Sequence, residues 1–168
     1  MAPKNAGTAI CPGSYDPVTY GHLDIISRTA NVFEQVIVGV VNQPVRKQTT
    51  LFSGEERKAF IEAAIAENGV CNVEVAVFSD LLVQFARERG AGAIVKGLRA
   101  ISDFEYEFEM NQLNRTLDPE IESIYLMAAP EYSFISSSGV RELAMFGGDL
   151  SDYVPPAVAE RLQEALKR

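Results

Sequence analysis

The stretch from Gly13 to His22, which reads GSYDPVTYGH, constrains the fold of this chain more than any other segment. It follows a short apolar run and precedes an amphipathic helical pattern, which predicts a strand, a phosphate-sized loop and a helix start. Pro12 and Pro17 cannot donate to a strand ladder, while Gly13 and Gly21 let the backbone approach a ligand closely. A helix that begins near Gly21 offers unpaired N–H groups and the positive end of its dipole, so the stretch predicts an anion site.

The only histidine of the chain, His22, falls in the first turn of this predicted helix. There its ring N–H and neighbouring backbone N–H groups can converge on one phosphate. A lone histidine is more often a packed or surface residue, but the loop before it favours a functional interpretation. The string from Ser14 to His22 resembles the T/H-x-G-H signature of the nucleotidyltransferase superfamily, whose members transfer a nucleotide from a nucleoside triphosphate onto a phosphate.

Length and composition predict a single domain over residues 1–168, because the chain is 47% hydrophobic and 23% charged, with no linker or repeat. Cys11 and Cys71 lie in or beside apolar runs without C-x-x-C spacing, which favours a reducing compartment and two inert core thiols over a structural zinc site. The chain has no apolar leader and no apolar window long enough to span a membrane. We therefore expect a cytoplasmic protein with no membrane partner.

The net charge of −8 argues against a nucleic-acid partner, which normally requires a basic face. A phosphate ligand must then meet local positive charge. Four basic residues that we expect in loops are the first candidates: Arg46, Lys47, Lys96 and Arg99.

Strands and helices alternate along the chain. Apolar and β-branched runs predict strands near residues 9–12, 35–41, 73–78, 93–95 and 123–127. Helical periodicity predicts helices over 21–32, 53–69, 81–89, 102–118 and 139–146, with a last helix after residue 156. This alternation predicts an α/β, Rossmann-like fold: a five-stranded parallel sheet with helices on both faces and ligand-binding loops at the carboxyl ends of the strands.

Three helix starts carry local capping signals. Ser53 with Glu56, and Ser102 with Glu105, have the spacing of a capping box. Asp80 is placed to cap the helix after the third strand. All three have a structural explanation that needs no ligand.

Two further loops have phosphate-binding chemistry. The string Lys96-Gly97-Leu98-Arg99 presents two cations beside a glycine at a strand end, although a solvated turn explains it equally well. The second loop ends in the consecutive serines Ser136 to Ser138 at a helix start, where hydroxyl and backbone N–H groups suit a polyphosphate. One of the three serines would suffice as a cap.

These strings, with the residues 103–107 that read DFEYE and 132–138 that read YSFISSS, together resemble bacterial phosphopantetheine adenylyltransferase. The resemblance runs from about residue 9 to the final helix. It implies synthesis of dephospho-coenzyme A and pyrophosphate from ATP and 4'-phosphopantetheine with Mg²⁺, the penultimate step of coenzyme A synthesis. It also implies a homohexamer that is inhibited by coenzyme A.

Carried over by position, the resemblance assigns roles to individual residues. His22 stabilises the α-phosphate in the transition state, Ser14 bonds near the phosphoryl acceptor, and Arg46 is the loop cation at the phosphates. Phosphopantetheine meets Ser14, Arg46, Leu82 and Lys96. The implied ATP-binding residues are Ser14, Tyr15, His22, Gly97, Leu98, Arg99, Glu107, Tyr132, Ser133, Phe134, Ile135, Ser136, Ser137 and Ser138.

The chain departs from the family pattern at two positions. Tyr15 replaces the usual phenylalanine, and Arg46 stands where a lysine is usual, with Lys47 next to it. Either Arg46 or Lys47 can be the loop cation; we favour Arg46 because its spacing from Pro44 is kept and a guanidinium can span two phosphates.

The implied chemistry needs positioning and charge stabilisation rather than a covalent intermediate. A phosphate is already a nucleophile near neutral pH and requires no general base. We expect in-line attack on the α-phosphorus, with Mg²⁺ carried by ATP because no carboxylate cluster in the sequence indicates a protein-held metal.

Two alternatives stay open at this point. A sister nucleotidyltransferase that uses nicotinate mononucleotide or a cytidyl donor would share the loop at Gly21 and His22. A non-catalytic nucleotide sensor is the other, and its expected mark is loss of the catalytic histidine, which this chain retains.

Overall fold

The computed structural model describes residues 6–44 and 49–166. Its strands are β1 (Ala6–Gly13), β2 (Phe33–Val41), β3 (Val73–Phe78), β4 (Ala91–Leu98) and β5 (Glu122–Met127). Its α-helices are α1 (Tyr20–Ala30), α2 (Gly54–Glu67), α3 (Leu82–Glu88), α4 (Ile101–Leu117), α5 (Ser137–Met145) and α6 (Pro156–Leu166), and a 3₁₀ turn covers Pro130–Tyr132.

The five strands form one parallel sheet in the order β3-β2-β1-β4-β5, which confirms the predicted fold class. The chain runs from β1 outward through β2 to β3, then crosses over to β4 on the other side of β1. In an open α/β sheet, the crevice at such a reversal is where ligands bind, outside the carboxyl ends of the strands. The loops after β1 and β4 therefore face each other across the crevice.

Alternate residues of the strands face two separate apolar cores. Ala9 and Cys11 of β1 point into a core with Leu23 of α1 and residues of α2, α5 and α6. Ile10 points the other way, into a core with Val83 of α3. A strand that is buried on both faces has an almost continuous apolar sequence, as β2 does. The two cores confirm that helices cover both faces of the sheet.

Helix caps explain where sequence reasoning succeeded and failed at the element ends. The Ser53 and Glu56 capping box is confirmed: Ser53 Oγ accepts from Glu56 N–H at 3.2 Å, and Glu56 Oε2 accepts from Ser53 N–H at 3.0 Å. The hydrogen bond from the Ser53 backbone lowers the pKa of Glu56. The Asp80 and Ser102 caps are wrong, since α3 and α4 are preceded by N-cap residues Leu81 and Ala100 without side-chain caps.

The fourth strand is longer than predicted and extends to Leu98. Lys96 and Gly97 therefore lie on a strand next to β1 and β5, not in a loop. A Cβ on Gly97 would come within 2.9 Å of Ile25, so this glycine lets α1 pack closely on the sheet.

The two cysteines lie in different environments. Cys11 is buried in β1, and burial raises the pKa of its thiol to about 12. Cys71 is exposed, so its prediction as a core thiol is wrong; it lies before β3 rather than within it. Across residues 6–44 and 49–166, none of the helices combines the length and the apolar character that crossing a membrane requires.

Candidate active site

A cleft of about 380 Å³ opens at the carboxyl ends of β1 and β4, where the topology places a ligand crevice. Its wall brings together most of the site residues predicted from sequence: Ser14, Tyr15, His22, Lys96, Gly97, Arg99, Glu107, Tyr132, Ile135, Ser136, Ser137 and Ser138.

Five predicted residues are not placed in this wall. Leu98 is buried, Leu82 packs against the core under α3, and Ser133 and Phe134 are exposed, with the Phe134 ring edge-on to Tyr153. Arg46 falls in residues 45–48, outside the described part of the chain, as does the alternative cation Lys47.

His22 is held by the start of its own helix. Thr19 is the N-cap of α1, its Oγ accepts from the His22 N–H at 3.4 Å, and its backbone N–H donates to His22 Nδ1 at 3.0 Å. This is a capping box in which a histidine occupies the position usually held by Glu or Gln. The spacing of Thr19 and His22 therefore fixes the imidazole in place.

The same contact assigns the tautomer of the neutral ring. A backbone N–H can only donate, so Nδ1 must be the acceptor, and the ring proton is on Nε2. His22 lines the cleft. The Tyr15 ring packs edge-on to the imidazole, with 5.1 Å between the ring centroids.

The predicted set of unpaired N–H groups at the start of α1 needs a correction. The Tyr20 N–H donates to the Tyr153 carbonyl at 2.9 Å, and the His22 N–H is taken by Thr19. Two amides of this turn are thus used by the protein, one because the chain after α5 returns across α1 and the other because Thr19 caps the helix. The donor that His22 offers an anion is its ring.

The serine turn is partly committed as well. Ser136 caps α5 by accepting the Gly139 N–H at 3.0 Å, and Ser137 Oγ donates to the Pro17 carbonyl at 2.8 Å. The second bond joins the start of α5 to the loop after β1. Two of the three hydroxyls therefore shape the cleft from within the protein.

Both cations of the β4 end are paired with carboxylates of α4. Lys96 Nζ lies 2.6 Å from Glu107 Oε1. Arg99 bonds Asp103 through its backbone N–H and its side chain, and donates to the Ile135 carbonyl at 2.9 Å. Burial raises the pKa of Asp103, but the hydrogen bonds from Arg99 outweigh it and hold the pKa below its usual value.

Tyr15, one of the departures from the family pattern, is buried beneath the loop. Its hydroxyl donates to the Cys11 carbonyl at 2.9 Å, which satisfies the polar group that a phenylalanine would lack. Burial raises the pKa of this phenol well above its usual value. Its backbone φ is 47°, a left-handed conformation that few non-glycine residues adopt.

Sequence reasoning missed three charged residues under the same loop, two of them fully buried and the third, Arg141, half-buried. Asp16 is fully buried and accepts from the Leu51 N–H at 2.9 Å and the Phe52 N–H at 3.1 Å. Arg141 of α5 pairs with the Asp16 carboxylate at 2.7 Å. Arg57 of α2 is fully buried and donates to backbone carbonyls, including that of Ser14.

A family model described as cytidylyltransferase-like matches residues 10–143, which include every strand except the first residues of β1. The structure also superposes on nicotinic acid mononucleotide adenylyltransferase of Plasmodium falciparum with a TM-score of 0.68, at 18% identity and 95% coverage of each chain. Fold, cleft and family model together define a nucleotidyltransferase.

The curated relatives are more specific. Phosphopantetheine adenylyltransferase of Caldanaerobacter subterraneus subsp. tengcongensis is 51% identical over 95% of this chain and 98% of its own length. The enzyme of the same name from Rubrobacter xylanophilus is 52% identical over 95% of each chain. The chain therefore belongs to the phosphopantetheine adenylyltransferase family.

Proposed function

We propose that this chain transfers the adenylyl group of ATP to 4'-phosphopantetheine, giving dephospho-coenzyme A and pyrophosphate. The observation that carries the proposal is the convergence of His22, with its ring proton on Nε2, and the β4 cations on one cleft. A phosphate oxygen of phosphopantetheine forms the new bond to the α-phosphorus. The bond from that phosphorus to the pyrophosphate oxygen breaks, and its electron pair leaves with pyrophosphate.

The chain's contribution to this reaction is positioning and charge stabilisation. In the in-line transition state, negative charge grows on the equatorial oxygens of the α-phosphate, where a preorganised donor acts most strongly. His22 supplies that donor through Nε2, and its capping box prevents the ring from turning away. The nucleophile needs no general base because it is already an anion near neutral pH.

The remaining site residues divide between the two substrates. We place the β- and γ-phosphates of ATP on Arg99 and the turn from Ser136 to Ser138, and the adenosine near Gly97, Glu107 and residues 132–135. Ser14 and Lys96 face phosphopantetheine. Its contacts at Leu82 and Arg46 rest on sequence resemblance.

The loop cation can be assigned by two single variants. We propose that Arg46 spans the reacting phosphates, so Arg46→Ala should lower kcat strongly and Lys47→Ala should leave it near the parent value. A large loss in Lys47→Ala with near-parental activity in Arg46→Ala would reverse the assignment.

We propose that Mg²⁺ enters with ATP as part of the substrate. Within residues 6–44 and 49–166, no three metal-ligating His, Cys, Asp or Glu side chains come together, which fits a metal held mainly by phosphate oxygens. The metal would offset the negative charge of the phosphates. The residues of the cleft would position the ATP that carries it.

Pyrophosphate release measures the proposed reaction directly. The chain is incubated with ATP and Mg²⁺ together with 4'-phosphopantetheine or nicotinate mononucleotide, and CTP replaces ATP in a third arm. We expect turnover only with ATP and phosphopantetheine. Turnover in another arm would identify a sister nucleotidyltransferase, and nucleotide binding without turnover would indicate a sensor.

We also propose a homohexamer, the state typical of the family that the sequence resembles. An exposed apolar surface supports self-association: Ile101 of α4 is 82% exposed, and Phe104, Phe108, Leu113 and Leu117 are each more than half exposed. Large apolar side chains exposed along one helix are a feature of interaction surfaces. Light scattering at micromolar concentration should give the hexamer mass, and a monomer would contradict the proposal.

Coenzyme A is the proposed feedback ligand, because it contains the phosphopantetheine and adenosine parts of both substrates. It should inhibit competitively toward phosphopantetheine, which initial rates at several coenzyme A concentrations will measure. We further propose a cytoplasmic location, where the free thiols Cys11 and Cys71 would stay reduced.

A further inference from the structure

The charge around the cleft is unevenly compensated. Lys96 and Arg99 are each paired with a carboxylate of α4, so this side is close to neutral without a ligand. Beneath the opposite loop, two guanidinium groups, Arg57 and Arg141, accompany one carboxylate, Asp16. In a chain of net charge −8, the buried Arg57 and the half-buried Arg141 thus give a local surplus of positive charge under that loop.

Within the described part of the chain, every hydrogen bond of the Arg57 side chain goes to a backbone carbonyl. Its Nη1 donates to Ser14 at 2.7 Å and Val41 at 2.8 Å, and its Nη2 to Asn42 at 2.8 Å. Its Nε is shared between Phe52 at 3.0 Å and Ser53 at 3.2 Å. The side chain is 0% exposed, and burial lowers its pKa while the charge of nearby Asp16 opposes that effect.

The bond to Ser14 orients the next amide. In a trans peptide unit, the C=O and N–H point in opposite directions, so a Ser14 carbonyl that faces Arg57 turns the Tyr15 N–H away from it. Ser14 and Tyr15 both line the cleft. No described residue accepts a hydrogen bond from this N–H. A cation on the carbonyl oxygen polarises the peptide and makes its N–H a stronger donor.

We propose that Arg57 is a positioning residue for adenylyl transfer: it fixes and polarises the Ser14–Tyr15 peptide so that the Tyr15 N–H binds a phosphate oxygen. This inference rests on the proposed function. Arg57 touches neither substrate and acts through the peptide. Its five carbonyl partners also tie the loop after β1 to the end of β2 and the start of α2, which fixes the position of that peptide.

The first experiment is Arg57→Lys, which keeps the charge but has only three N–H groups for five carbonyls. We expect kcat to fall by about tenfold, as a donor important in the transition state is misplaced, while the KM for ATP changes by less than about threefold. The matched control is Asn72→Ala. Asn72 also binds three backbone carbonyls, of Ala30, Phe33 and Glu34, but at the amino ends of the strands.

The control should lose thermal stability and keep kcat within twofold. A purely structural role for Arg57 predicts the same behaviour for both variants, with kcat per folded active site unchanged. A folded Arg57→Lys protein with kcat within twofold of the parent would overturn the proposal.

A second measurement uses the unaltered protein and needs neither turnover nor a folded variant. In an amide correlation NMR spectrum, ATP in the absence of phosphopantetheine should move the Tyr15 amide proton downfield and leave that of Ile37, buried in β2, in place. An unmoved Tyr15 amide at saturating ATP would overturn the proposal. If the unaltered protein shows this shift but transfers no adenylyl group to phosphopantetheine, the proposed function is wrong. The anion-binding role of the Ser14–Tyr15 peptide then still holds.

Discussion

The two sides of the cleft hold their charged and donor groups in opposite ways. On one side, here called the loop side (residues 13–22), His22 and the Ser14–Tyr15 peptide are fixed by contacts to Thr19 and Arg57. On the other, the α4 side (residues 96–107), the cations are paired with Glu107 and Asp103, which also line the cleft.

This difference separates two tasks. A group that stabilises a transition state must be in place beforehand, since reorganisation at that moment would add to the barrier. A cation that binds ATP can exchange one anionic partner for another, because a carboxylate and a phosphate oxygen offer similar acceptors. We therefore expect changes on the loop side to affect kcat and changes on the α4 side to affect KM.

The largest expected effect is at His22. His22→Ala should lower kcat by about 10²-fold or more, the scale for losing one oxyanion donor, with little change in ATP binding. His22→Gln is the sharper variant because Gln at this position preserves a capping box while removing the ring. Steady-state kinetics and melting curves for both should show a lost kcat with a retained Tm in the Gln variant. A kcat within a few-fold of the parent would exclude the assigned role.

A smaller effect is expected at Arg99, on the α4 side. Arg99→Ala should raise the KM for ATP by about tenfold, because hydrogen bonds from a charged group contribute about 1.5–3 kcal/mol, and should affect the KM for phosphopantetheine less. Arg89→Ala is the control: its side chain is 37% exposed against 40% for Arg99 and also pairs with a carboxylate, but outside the cleft wall. Equal changes in both KM values would contradict the assignment.

A still smaller change of opposite sign is expected at the partner of Arg99. Asp103→Asn removes the carboxylate that competes with phosphate, so the KM for ATP should fall by about threefold, consistent with about 0.2–1 kcal/mol for a partly exposed ion pair. Initial rates at low ionic strength provide the measurement. A higher KM would show that Asp103 positions Arg99 for ATP rather than competing with it.

The smallest expected effect is the labelling of Cys11, and it tests whether β1, the strand that leads into the loop side, opens in the folded protein. With a pKa of about 12, the Cys11 thiol is almost entirely protonated at pH 8, and its burial also blocks access. A thiol reagent should therefore label the exposed Cys71 quickly and Cys11 only after unfolding. Rapid labelling of Cys11 in the folded protein would show that this strand opens.

The order of elements could be predicted from sequence because apolar periodicity is local and strong. β2 is an almost continuous β-branched run, and its burial on both faces follows from that pattern. Element ends were harder to predict. Ser102 has the spacing of an N-cap, but the N-cap of α4 is Ala100. The backbone N–H of Arg99, just before this helix, is bound by Asp103 instead. A capping signal alone does not show which backbone group a side chain will bind.

The wall of the candidate site was largely predictable, because its residues lie in motifs at strand ends. The buried residues that support the wall were not. Arg57 stands in a charged string, GEERK, that reads as a solvent-facing helix start. Its spacing from Ile61 and Ala64 places it on the buried face of α2, and that periodicity was the one available signal. Its carbonyl partners come from distant segments that only the fold brings together.

A crystal structure of this chain with bound ATP tests the central difference most directly. We predict that the Arg99 guanidinium leaves Asp103 for phosphate oxygens, while Arg57 keeps its carbonyl partners and His22 Nδ1 keeps the Thr19 N–H. An ATP complex in which Arg99 stays on Asp103, or in which Arg57 or His22 changes partners on binding, would contradict this account.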